Sequence, residues 1–172
     1  MKTIIIIAIL VAIFYLIKYL IETRNHLNNM YHDVKQQADS IGIQVAHRGQ
    51  CLNDALSIAK ISYSQEVAGI ERLTAKDQLN HLAFLGEKYP QLSAMRDYSN
   101  AVNQAFELNM NITAARELMN GNINLYNKAV TEFPACLVAK MFGFKEEKRM
   151  DEENYEQNKK VERLAVDFAS FM

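Results

Sequence analysis

The sequence predicts an all-α protein: a single N-terminal transmembrane helix followed by an antiparallel bundle of long helices. Three observations carry that prediction. The chain opens on an apolar run long enough to cross a bilayer, and the remainder repeats apolar residues at steps of three and four. The 172 residues also contain only 6 Gly and 2 Pro, too few turn formers for many short strands and loops. The length is that of one domain, enough to bury a core if every segment contributes. The expected parts are a membrane anchor over 1–23, a helical bundle domain over 24–145 and a charged helical tail over 146–172.

The anchor comes first. From Ile4 to Ile17 there is no charge, and beyond Lys18 the apolar run resumes through Tyr19, Leu20 and Ile21. As helix, that stretch rises about 27 Å, close to the thickness of a hydrocarbon core. Lys18 can extend its ammonium to the head groups, and Tyr15 and Tyr19 suit the interface. A cleaved signal peptide starts in the same way, with Lys2 before an apolar core. Here Glu22, Thr23, Arg24 and Asn25 stand where a small-x-small cleavage site would be needed, so an uncleaved anchor is expected. Lys2 on one side against Lys18, Arg24 and Lys35 on the other points to a cytoplasmic C-terminal domain by the positive-inside rule.

Past the anchor, Leu27, Met30, Tyr31, Val34, Ala38, Ile41 and Val45 continue one apolar stripe. Gly42 is read as an interior glycine, whereas Gly49, just before the apolar restart at Cys51 and Leu52, is read as a break. Leu52, Leu56, Ala59, Tyr63, Val67 and Ile70 form the next stripe. The phase changes at Leu79, Leu82 and Leu85, directly after "TAKD", where Thr74 has Asp77 three residues on as in a helix N-cap. A turn near Thr74 is therefore expected. In "GEKYP", Gly86 is read as a C-cap and Pro90 as the stop. One helix from Gln91 to Glu132 then carries a seam of Tyr98, Val102, Ala105, Asn109, Ile112, Arg116, Met119, Ile123, Tyr126, Val130 and Phe133. Asn109 and Arg116 interrupt it. Either helical drift carries both to the edge, or they form a polar pair that sets register.

"EFPACLVAKMFGFK", from Glu132 to Lys145, is the least ordinary stretch: Pro134 stops a helix, and large apolar residues follow where a polar loop would be usual. The expectation is that Leu137, Val138, Met141, Phe142 and Phe144 fold back as a cap on one end of the bundle. Their burial would be worth on the order of 10 kcal/mol before entropy. Insertion into head groups is the rival reading. A straight helix from Cys51 to Gly86 would leave Phe133 far from lipid, whereas a reversal near Thr74 would bring it back. The reversal is preferred because phase change and cap coincide there. The charge-dense tail after Lys145, closing with Val161, Leu164, Ala165 and Phe168 on one face, is read as a surface helix or a partner-docking element.

The residues offer little to chemistry. A net charge of −1 supplies no basic field, so nucleic acid is not an expected partner. His26, His32, His47 and His81 lack HExxH or Glu-x-x-His spacing, and Cys51 and Cys136 form no CxxC, so no metal is expected. The two thiols are read as small buried side chains. There is no phosphate-cradling glycine loop and no GxSxG. Asp151, Glu152 and Glu153 sit in the solvated tail, where burial cannot tune their acidity. Neither a cofactor nor an enzymatic activity is expected.

"ITAARELMNGNINLYNKAVTEFPACLVAKMFGFK", from Ile112 to Lys145, resembles the LemA family of bacterial membrane-anchored helical proteins. The resemblance rests on Ala114, Ala115 and Arg116; on Tyr126, Asn127, Ala129 and Val130; and on Phe133, Pro134, Leu137, Val138, Ala139, Phe142, Gly143 and Phe144. "KYPQL" is similar to the family's Tyr-Pro-x-Leu helix start. Arg24, Asn25, Ile43, Gln44, Val45 and Arg48 match its first hairpin. The family's Pro-Asn-Leu helix start is replaced around Leu52 and Asn53. The resemblance implies one anchor, marked by Ile4, Ile17, Lys18 and Ile21, plus an antiparallel LemA-like bundle, and it implies no enzyme activity. The expected role is a scaffold or adaptor binding a protein partner, or a second copy of itself, at the bacterial inner membrane. A lipid-engaging, membrane-shaping protein acting through the Phe-Pro and Phe-Gly-Phe segment is the alternative.

Overall fold

The computed structural model describes residues 1–150, which are helical throughout except for turns and a final extended stretch, with no strand among them. Helix α1 spans Lys2–Val67, α2 Ala75–Lys88, α3 Pro90–Ser93, α4 Arg96–Thr131 and α5 Ala135–Phe142, with a short 3₁₀ turn at Ile70–Arg72. The described residues divide into two compact units, one made of residues 1–36 and 118–150 and the other of 37–117, so α1 and α4 each contribute to both.

In the unit 37–117, α1 and α4 run antiparallel. Arg48 reaches Asn109 and Cys51 reaches Gln104, with numbers rising on one helix as they fall on the other. The core joins Leu52, Ala55, Leu56 and Ala59 of α1 to Leu79, Leu82 and Leu85 of α2, Leu92 of α3, and Tyr98, Ala101, Val102 and Ala105 of α4. The alanines at the helix contacts allow close approach, and the leucines fill the space between helices.

The break expected at Gly49 does not form; α1 continues through it. A helical glycine costs only about 1 kcal/mol, and the buried Arg48, Cys51 and Leu52 around it outweigh that. The turn expected near Thr74 does form. Tyr63 leaves helical geometry (φ −132°, ψ 41°), and Gly69 takes the left-handed conformation at φ 91°, which glycine adopts without strain. Thr74 then caps α2 by accepting from the Asp77 N–H at 3.3 Å.

Gly86 is not a C-cap. It lies within α2, where a Cβ would meet the Tyr98 ring at 3.4 Å, close to ordinary van der Waals contact. The Tyr98 hydroxyl donates to the Leu82 carbonyl at 2.5 Å, and burial pushes its pKa up to about 12. The helix expected from Gln91 to Glu132 is split: α3 starts with Pro90 at its first position, and α4 begins at Arg96.

In the other unit, Leu27 of α1 packs with Tyr126 and Val130 of α4 and Ala139 of α5, and Met30, Tyr31, Ala129 and Phe144 lie against them. The α4 seam is buried from Tyr98 to Val130 as its spacing predicts, apart from the half-buried Asn109. Phe133 is 80% exposed because Pro134 ends the helical register before that residue can join the seam.

Residues 146–150, expected to begin a charged helix, are not helical, and side-chain amides of α4 bond their main chain at Glu147 and Met150. The rest of the expected tail, including Val161, Leu164, Ala165 and Phe168, lies outside the described residues.

Candidate functional site

The unit that contains the anchor also carries an apolar surface. One helix is long and apolar enough to cross a membrane, and none of its most apolar window is buried against protein. Ile4, Ile17 and Ile21 point outward around the run that Lys18 interrupts, and Lys18 pairs with Glu22 one turn on at 3.7 Å. Directly past this run, the Arg24 guanidinium lies 5.5 Å from the centre of the Phe142 ring on α5. The segment from Phe133 to Phe144 therefore returns to the anchor's exit. The long helix α4 leads into this segment, and α2, capped at Thr74, and α3 precede it in the chain.

At that exit α5 is not the cap that its hydrophobicity predicts. Val138 and Ala139 are buried, whereas Leu137 is 59% exposed, Met141 60% and Phe142 46%. Leu137 and Met141, four residues apart within α5, share its outward face, and Phe133 is exposed just before the helix begins. The five-residue burial expected from composition shrinks to Val138 and the half-buried Phe144, because the small Ala135 and Ala139 occupy the inner face beside Val138. Gly143 closes α5 at φ 78°, and the Phe144 N–H donates to the Ala139 carbonyl at 2.9 Å while its ring packs toward the same cluster.

Beyond Gly143 the chain lies along α4. The Asn127 carboxamide donates to the Glu147 carbonyl and accepts from the Glu147 N–H, both at 2.8 Å. Asn120 does the same for Met150 at 3.2 and 2.8 Å. Lys35 of α1 pairs with the Glu147 carboxylate at 3.7 Å. Burial raises the Tyr126 pKa, and the Glu147 charge beside it adds to the rise.

The polar pair read on the α4 seam has a third member. Arg116 is 7% exposed and Arg48 3%, and Arg48 donates to the Asn109 Oδ1 at 2.6 Å across the helix pair. Arg116 thus lies inside the seam, not at its edge. Sequence reasoning passed over Arg48 as a core residue, although Leu27, Val34, Ile41, Arg48 and Ala55 are spaced by seven and all five are buried. Asn127 enters the sequence reading only through the family resemblance and Asn120 not at all; the two share the same seven-residue step.

Burial raises the Cys51 pKa, and the nearby Asp54 charge adds to it, so that thiol is held in its unreactive form. Cys136 is half-buried on α5. All four histidines face solvent, and among the described residues no group of three or more His, Cys, Asp or Glu side chains is placed to hold a metal ion.

A family model described as the LemA family matches residues 17–168. No curated protein and no solved structure matches the chain.

Proposed function

The chain belongs to the LemA family, and from that premise we propose a non-catalytic protein that holds its helical domain against a bacterial inner membrane by two lipid contacts. The first is the anchor helix, which crosses the bilayer. The second is α5, lying in the head-group region with Phe133, Leu137 and Met141 toward the acyl chains. The domain is on the cytoplasmic side, as the lysine and arginine balance around the anchor indicates.

One observation carries the reading. Leu137 and Met141 stand on the outer face of a short helix whose inner face is small, Phe133 is exposed just before it, and that helix touches the first cation after the membrane run. In water such a face is unfavourable at about 25 cal/mol per Å² of exposed apolar area. At the interface the same area is favourable, and Lys140 on the solvent side can reach the phosphates.

The sequence contains no Trp, so F133W supplies a single fluorescent reporter. In full-length protein reconstituted into liposomes, brominated lipids are expected to quench it while aqueous iodide does not. Quenching by iodide alone would sink the lipid reading. The outer face of α5 would then fit the second reading, a scaffold or adaptor that covers it with a protein partner.

A further inference from the structure

The extended residues after Gly143 are held in an unusual way. Phe144, Glu147 and Met150 are half-buried, while Lys145, Glu146, Lys148 and Arg149 are exposed. That period of three belongs to a threefold extended chain, in which residues three apart face the same side; in a flat strand they would face opposite sides. Three residues of such a chain advance about 9 Å, and the seven residues from Asn120 to Asn127 rise about 10.5 Å along α4. The two repeats are commensurate. Each asparagine therefore meets one main-chain unit squarely, its amide offering a donor and an acceptor side by side to the C=O and N–H of a single residue.

All four of these bonds go to main chain, so they do not read the side chains of the bound segment. Selectivity comes from two places. Phe144 rests on the Leu27, Tyr126, Val130 and Ala139 cluster, and Glu147 faces Lys35. No residue from 145 to 150 belongs to the apolar core of the unit, and Phe144 lies against that core from outside, so release of the segment uncovers one face of the cluster without removing any of its buried members. Gly143, at φ 78°, is the joint before it.

We propose that the Asn120 and Asn127 face of α4, with Lys35, is a binding site for extended peptides. Its own segment 144–150 is a tethered occupant. The partner is a protein segment of the same pattern: an aromatic residue, an acid three positions later, and an apolar residue three positions after that. Such a segment replaces the tethered one when its local concentration is high enough. This is independent of the lipid contact of α5, which F133W reports.

The test uses full-length protein in nanodiscs and a fluorescent peptide of sequence FKEEKRM. The double substitution Glu147→Pro and Met150→Pro removes the two N–H donors of the tethered segment and leaves the site intact, with hydrogen exchange over 144–150 reporting its release. The peptide is expected to bind this released protein at least tenfold more tightly than wild type. An added Asn127→Asp, which keeps the shape and loses the donor, is expected to weaken binding at least tenfold. So is N-methylation of the glutamate that occupies the Glu147 position in the peptide, an arm that leaves the protein unchanged. Peptide that does not bind the released protein, or that binds regardless of Asn127 and of N-methylation, overturns the site. A disulfide formed between K35C protein and E147C protein mixed as wild-type-like copies overturns the tethered occupant in favour of exchange between two copies.

Discussion

Helices α2 and α5 are both short, both follow a helix stop, and both are rich in large apolar residues, yet they are oriented oppositely to their surroundings. In α2, Leu79, Leu82 and Leu85 face the core and leave Phe84 outside. In α5, the small Ala139 and Val138 face inward while Leu137 and Met141 face out. A helix in water reduces exposed apolar area by turning most of its large side chains inward, as α2 does with its three leucines. The arrangement in α5 is the reverse, and it occurs in the unit that carries the membrane run. The difference teaches that hydrophobicity alone does not say whether a helix packs on protein. The distribution of side-chain size between its two faces does.

The largest test of that contrast is a pair of truncations. Leu82→Ala, at a fully buried site, is expected to cost about 3 kcal/mol and to lower the thermal midpoint in detergent by on the order of 10 °C. Leu137→Ala is expected to leave the midpoint within a degree or two, as an exposed substitution does. Equal shifts would break the comparison.

The next largest effect concerns polar contacts. Asn109→Ala removes the acceptor of a buried arginine's hydrogen bond and is expected to cost about 2 kcal/mol by denaturant titration. Asn127→Ala is expected to free residues 144–150, seen as faster hydrogen exchange there, with a smaller change in global stability.

Smaller still is Tyr98→Phe, which leaves the Leu82 carbonyl without its donor, at about 1 kcal/mol. Its pH dependence has a definite sign. Because the folded-state pKa is raised to about 12 from 10, the neutral phenol is favoured in the fold. That contribution is fully present below pH 10 and is lost as pH rises toward 12, because the unfolded chain ionises first. Tyr98→Phe should remove that part of the alkaline slope. A small effect is also expected for Phe142→Ala, which loses a half-exposed ring and its contact with Arg24 and should move the midpoint by no more than a few degrees.

Much of this was legible in the residues. The α4 seam could be traced at alternating steps of four and three because every turn repeats the same geometry, and burial follows that trace from Tyr98 to Val130. The cap at Thr74 was legible because its bond to Asp77 is local. Gly49 and Gly86 misled for one reason: a glycine's backbone freedom marks a break only where packing does not hold the helix together. At Gly49 the buried neighbours hold it, and at Gly86 the buried Leu82 and Leu85 of the same helix do. The pairing of Arg48 with Asn109, and of Asn120 and Asn127 with the chain after Gly143, joins residues 61, 30 and 20 positions apart, and no local pattern encodes those distances.

The sequence by itself determined the helical class, the membrane run and the inward stripes, because these depend on periods and lengths that a single segment carries. Only the tertiary structure decided which face of α5 is covered. The amphipathic pattern of Ala135–Phe142 permits either face to turn inward, and the outcome depends on how much room Leu27, Tyr126 and Val130 leave beside it. That room admits Val138 and Ala139 and leaves Phe133, Leu137 and Met141 outside. It was likewise tertiary structure that made Asn120 and Asn127 the support for the chain after Gly143, because only folding brings that chain within reach of their amides.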